Sequence, residues 1–190
     1  MHGFRLLAIL SIAAVLPLMA ERTAHAYGDL TVHYARVDTS NCARLSGDLP
    51  VIAFSNGCQL DDSVDGTFFE KDVGGIAVKL ELHDDNGMVA KVEFHPLGEK
   101  LWVYDTRNDS DTVYVQVCQE EGGPGSTCFF IGPAHSAPGT SNVIDKTVDD
   151  IREGENFPEG VRLGFKVTDD LDGNDGFSFF EDILYIFGRS

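Results

Sequence analysis

The chain has 190 residues, 43% of them hydrophobic and 13 of them Phe, which suits one domain with a packed core. Its formal net charge is −17. That argues against nucleic acid or anionic membrane as a partner, because both need a basic surface. It leaves solubility, a divalent cation or a basic protein partner as uses for the carboxylates.

Residues 1–26 read as an export signal. Arg5 supplies a positive start, Leu6–Met19 is a mostly apolar run too short to span a bilayer, and Ala24-His25-Ala26 is an A-x-A cleavage site. No second apolar run of membrane length follows. Cleavage after Ala26 leaves residues 27–190 as a single domain outside the cell or in a periplasm, with 12 basic and 30 acidic residues, net −18. All four cysteines lie in that domain. An even count in an exported chain reads as two disulfides. Cys42–Cys58 and Cys118–Cys128 are the expected pairs, since each closes a short local loop. The loop-entropy model assigns each about 3 kcal/mol.

Leu30–Val37 alternates as a strand. Asp38–Asp48 is a loop, Val51–Phe54 a short strand, and Ser55-Asn56-Gly57 a turn. Gln59–Gly75 is polar and reads as an excursion between strands. Ile76–His83 and Met88–Phe94 alternate apolar and polar residues, the mark of half-buried strands. A two-residue loop would set their apolar faces against each other. A three-residue loop, Asp85-Asn86-Gly87 with Gly87 in the left-handed region, aligns them. Leu82 then faces Ala90, Leu80 faces Val92 and Val78 faces Phe94, while Glu81 meets Lys91 and Lys79 meets Glu93. Leu101–Tyr104 and Val113–Val117 extend this into a four-stranded core sheet. Phe129–Ile131 is a strand, and Gly132–Ser141, with two prolines, a loop. Val143–Val148 alternates and reads as a strand, although Ile144, Val148 and Ile151 also fit helical spacing, and Val161–Val167 and Ile183–Phe187 complete the set. Nine or ten short strands predict an all-β fold, an antiparallel two-sheet β-sandwich, with a small β-barrel as the alternative.

Three sites stand out. In Asp170–Glu181 (DLDGNDGFSFFE), oxygen ligands fall at alternate positions: Asp170, Asp172 and Asn174, with Glu181 closing the loop at position 12. Over those twelve residues the stretch resembles an EF-hand calcium loop. It has Asp175 where the family has Gly, and the alternation of Val161–Val167 opposes an entering helix. Thr168–Asp175 also looks like the Asp-rich loop of a C2 domain. Calcium at Asp170, Asp172, Asn174, Asp175 and Glu181 competes with a solvated turn. The second site is the glycine-rich loop Glu120, Glu121, Gly122, Gly123, Pro124, Gly125, pinned at its base if Cys118 pairs with Cys128. The third is a set of acidic loops, Asp61–Asp65 among them, read as turn chemistry and solubility.

No catalytic motif appears among the histidines His33, His83, His95 and His135 or elsewhere; His83, beside Asp84 and Asp85, reads as a surface residue rather than an acid–base group or metal ligand, because adjacent strand residues point to opposite faces. These features lead to an exported binding or structural module, calcium-bound or metal-free, whose partner is an extracellular protein or glycan. A small hydrolase using carboxylates and an inhibitor or toxin-like factor acting through the pinned loop are the alternatives.

Overall fold

A computed structural model describes residues 30–108, 112–120, 127–138, 144–151, 160–168 and 188–189. The described residues are all-β. Twelve strands have three residues or more: β1 (Thr31–Asp38), β2 (Ala43–Gly47), β3 (Ile52–Phe54), β4 (Gly57–Leu60), β5 (Thr67–Glu70), β6 (Ile76–Asp84), β7 (Gly87–His95), β8 (Lys100–Asp105), β9 (Thr112–Glu120), β10 (Cys128–Pro138), β11 (Asp145–Asp150) and β12 (Arg162–Thr168). A two-residue strand, β13 (Gly188–Arg189), follows. The count exceeds the nine or ten expected. Asp38–Asp48 contains β2 rather than being all loop, and the polar stretch after Cys58 holds the second half of β4 and all of β5. Both disulfides, Cys42–Cys58 and Cys118–Cys128, are formed. No helix among the described residues is long and apolar enough to cross a membrane.

The large sheet runs β10-β9-β12-β13-β6-β7-β8-β11, with β1 also paired to β6 and β2 to β1. It is not closed into a barrel, since β10 and β11 end the hydrogen-bonded path. A side-chain bond, His135 Nδ1 to Asp149 Oδ2 at 2.9 Å, links these two end strands. A smaller sheet has the order β3-β4-β5.

The β6–β7 register is the expected one: Leu82 opposite Ala90, Leu80 opposite Val92, Val78 opposite Phe94, Glu81 opposite Lys91 and Lys79 opposite Glu93. The turn differs. Asp84 pairs with Gly87, so the loop is Asp85-Asn86, and the extra residue is taken up by a register shift beyond His83 and Met88 that leaves Val89 unpaired in the ladder. Gly87 has φ +120, on the positive side as predicted. The bulge corrects the phase that a two-residue loop alone would set wrong.

The four-strand core sheet is corrected. β8 pairs with β11 on its far side, and β9 instead pairs with β10 and β12. The apolar residues of β9 therefore face those of β6–β8 across the core rather than continuing beside them. Leu80, Leu82, Val92, Phe94, Leu101 and Val103 pack into one buried cluster with Val113, Val115, Val117, Leu163, Phe165 and Val167. The Phe94 and Phe165 rings lie 5.2 Å apart, centroid to centroid. Residues 132–138, expected as loop, belong to β10, whose register shifts between Ile131 and His135. The prolines are tolerated because β10 ends the sheet. Val143–Val148 was expected as a strand, and Asp145–Asp150 forms one.

Candidate functional site

The other face of β6 and β7 is not solvated. Lys79, Lys91, Glu81 and Glu93 are all buried. They lie under the segment that joins β4 to β5, and this is the main correction to the sequence reading. The local pattern is a five-residue repeat, Lys79-Leu80-Glu81-Leu82-His83 on β6 and Lys91-Val92-Glu93-Phe94-His95 on β7. Period two puts Lys, Glu and His of each copy on one face. Antiparallel pairing then crosses the copies, Lys to Glu, about an approximate two-fold axis.

Asp62 sits at the centre of that cross. Its Oδ2 accepts from Lys79 Nζ at 2.7 Å and from Lys91 Nζ at 2.9 Å, with all three side chains wholly buried. Its Oδ1 accepts the backbone amides of Val64, Asp65 and Gly66 at 2.7, 3.1 and 3.1 Å. Lys79 also reaches Glu81 Oε1 at 3.0 Å and the Leu60 carbonyl at 3.3 Å. Lys91 also reaches Asp65 Oδ1 at 2.5 Å and Glu93 Oε1 at 2.9 Å, and lies 4.1 Å from the centre of the Tyr104 ring. Tyr104 donates to Asp65 Oδ2 at 3.1 Å, and Thr67 donates to Glu93 Oε1 at 2.7 Å. Asp62 thus does more than turn chemistry and solubility. It is the buried counter-ion of two lysines.

Each histidine bonds the glutamate two residues before it, His83 Nε2 to Glu81 Oε2 at 3.0 Å and His95 Nε2 to Glu93 Oε2 at 2.9 Å. His95 is stacked on Trp102, centroids 4.7 Å apart, with Phe69 edge-on at 4.8 Å. His83, expected at the surface, is partly exposed with its ring held by Glu81, whereas His95 is nearly covered and His135 is buried. The repeat K-x-E-x-H was the available signal, since it places each His beside a carboxylate on its own face.

The charges set the protonation states. Burial would raise the carboxyl of Asp62, but hydrogen bonds from Lys79, Lys91 and the Val64 amide hold it well below the usual range. Burial likewise opposes ionisation of Glu93, and His95, the charge of Lys91 and Thr67 reverse this and lower it. For Lys91, burial pulls the ammonium down, but the charge of Glu93 and bonds to Asp65, Glu93 and Asp62 prevail and raise it. Burial, then the charges of Glu93 and Asp65, push the Tyr104 phenol far up, so it stays a donor. Asp62, Asp65 and Glu93 each place an oxygen within 4.8 Å of the others, a spacing that fits a metal ion. Lys91 Nζ bonds all three, so the cation among them is an ammonium.

Beside this network the surface opens into a groove of about 360 Å³ lined by Phe68, Glu70, His95, Pro96, Leu97, Lys100 and Trp102. Trp102 carries Lys146 Nζ over its ring at 4.5 Å, and its buried Nε1–H has no acceptor among the described residues. The outer face of the small sheet adjoins the groove. Ladder pairing sets Ile52, Gln59 and Phe68 in one row and Phe54, Gly57 and Glu70 in the next. The Phe54 and Phe68 rings are 6.4 Å apart. Gly57 is required here, because a Cβ would sit 2.2 Å from the Phe69 carbonyl and 2.7 Å from the Phe68 ring.

Asp170, Asp172, Asn174, Asp175 and Glu181 lie outside the described residues, as do Glu121, Gly122, Gly123, Pro124 and Gly125. Glu120, at the base of that loop, is buried and pairs with Arg162 Nε at 2.9 Å. No family model matches the chain, and neither a curated protein nor a solved structure matches it.

Proposed function

We propose that the chain is an exported β-sandwich module that binds an extracellular protein partner through the outer face of its small sheet and the adjoining groove. The observation that carries this is the exposed apolar surface of Ile52, Phe54, Phe68 and Leu97, which are 46, 50, 38 and 48% exposed. Apolar side chains gathered on one face mark interaction surfaces rather than solvated ones. Among the described residues β3 pairs only with β4, so its other edge offers backbone groups to an added strand. The net charge of −17 favours a basic partner. The occupant is therefore an extended segment that alternates basic and apolar residues. Trp102 already has His95 stacked on it and Lys146 over its ring, which weakens the case for a stacked sugar ring. Glu70 is the one carboxylate lining the groove among the described residues, which weakens the case for paired-carboxylate hydrolysis.

Trp102 is the sole tryptophan, so its fluorescence reads this groove directly. Titration with synthetic Lys/Phe-alternating peptides is expected to saturate, while Glu/Phe controls leave the signal flat and Phe54→Ser abolishes binding without moving the melting temperature. No saturable change, or saturation by oligosaccharides instead, overturns the reading. Calcium at Asp170–Glu181 is part of the same proposal. At 100 times its dissociation constant an ion bound only by the folded state adds about 2.7 kcal/mol, so melts in calcium and in EDTA should differ, and Asp172→Ala should make them equal.

A further inference from the structure

We infer that Lys91 and Asp62 become joined by an intramolecular amide, a covalent cross-link from β7 to the segment between β4 and β5. The arrangement has the parts that such a condensation needs. The nucleophile, Lys91 Nζ, is wholly buried and 2.9 Å from Asp62 Oδ2. Two further carboxylates, Asp65 at 2.5 Å and Glu93 at 2.9 Å, stand ready to take its protons. The Asp62 Oδ1 already accepts three backbone amides, which is the donor set that would hold an oxyanion there. The leaving oxygen, Oδ2, receives a hydrogen bond from a second ammonium, Lys79, at 2.7 Å.

The step balances within the chain. Lys91 passes a proton to Glu93, and the freed lone pair forms the N–C bond to Asp62 Cγ. The carbonyl π pair moves onto Oδ1. Lys79 and Glu93 each give a proton to Oδ2, the pair on Oδ1 returns to re-form the C=O bond, and the C–Oδ2 bond breaks with loss of water. A second N–H proton of Lys91 leaves by the same route and restores Lys79. One ammonium and one carboxylate are consumed, one amide and one water form, and nothing is oxidised. The ionised resting state makes the step slow. However, only one turnover is needed, and well-oriented intramolecular groups react with effective molarities of about 10⁵–10⁸ M. The network also survives the loss of the Lys91 charge. Asp65 keeps Tyr104 and, at 3.7 Å, Lys146, while Glu93 keeps Thr67 and His95.

Intact mass of the purified, reduced and alkylated full chain tests this. The expected mass is one water below that of the sequence from its observed N-terminus. Trypsin should then release residues 45–71 joined to residues 80–100, because acylated Lys91 is not cut. Lys91→Arg keeps the charge but has no amine to acylate in this way, and should show the full mass, as should Asp62→Ala. Glu93→Gln should slow the loss of water in freshly refolded protein. A wild-type chain at full mass overturns the inference. So does a dehydrated 45–71 peptide that remains separate, which would be an Asp65-Gly66 ring closure, or a link that maps to Lys79. The wild-type measurement needs no variant to fold, and it is independent of whether the small sheet binds a partner.

Discussion

The two faces of β6 and β7 are built from the same alternation, and both are buried, yet they are held by different physics. The inner face carries Leu80, Leu82, Val92 and Phe94 against β9 and β12. Its stabilisation scales with the area removed from water and is indifferent to pH. The outer face carries Lys79, Glu81, Lys91 and Glu93 under the β4–β5 segment. Buried charges of this kind must first offset their desolvation, so they stabilise only when every partner is in place. The comparison shows that a polar face in a strand pattern identifies which residues share a side, and says nothing about whether water reaches it.

The largest effect is expected on the inner face. Phe94→Ala opens a cavity opposite Phe165 and should cost about 4 kcal/mol in denaturant unfolding, by the same amount at pH 5 and pH 8. Lys79→Met, on the outer face, leaves Asp62 and Glu81 short of a cation and should cost about 3 kcal/mol. A cost for Lys79→Met below that of an exposed substitution would show that the small sheet does not seal the network.

Acid sharpens the contrast. The carboxyl of Glu93 is held below its ordinary 4.5 in the folded chain. Its contribution is therefore complete above that pH and is lost as pH falls through the folded value. Melting temperature followed from pH 7 downward should drop below about pH 4.5 in the wild type and in Phe94→Ala alike. Glu93→Gln should remove its share of the slope. The smallest effect belongs to an exposed pair outside both faces. Lys100 bonds Asp150, both side chains being more than a third exposed, and Lys100→Ala should cost under about 1 kcal/mol.

Much of this was legible one residue at a time. The pairing of Lys79 with Glu93 and of Leu80 with Val92 follows from matching charges and apolar residues across a hairpin, because a one-residue slip inverts every side chain. The short cysteine separations likewise favoured local loops, and those are the bonds formed. The destination of β9 was not legible. Val113, Val115 and Val117 alternate equally well beside β8 or across the core from it. Only the arrival of Asp145–Asp150 at the free edge of β8 decides between the two. The small sheet was obscured because Gln59–Gly75 is polar in composition. Its strands bury few side chains, Leu60 and Phe69 among them, and much of the rest serves charge rather than apolar burial.

The amino-acid order alone therefore determined local quantities: the positions of the strongly alternating strands, the β6–β7 register, and the facing of Lys, Glu and His on one side of β6 and of β7. These depend on period two and on neighbours across one turn. The tertiary structure decided which faces are dry, which carboxylate meets which lysine, and where the apolar surface is left uncovered. Those depend on segments distant in sequence. Asp62 lies 17 residues before Lys79 and 29 before Lys91, and no local pattern encodes their meeting.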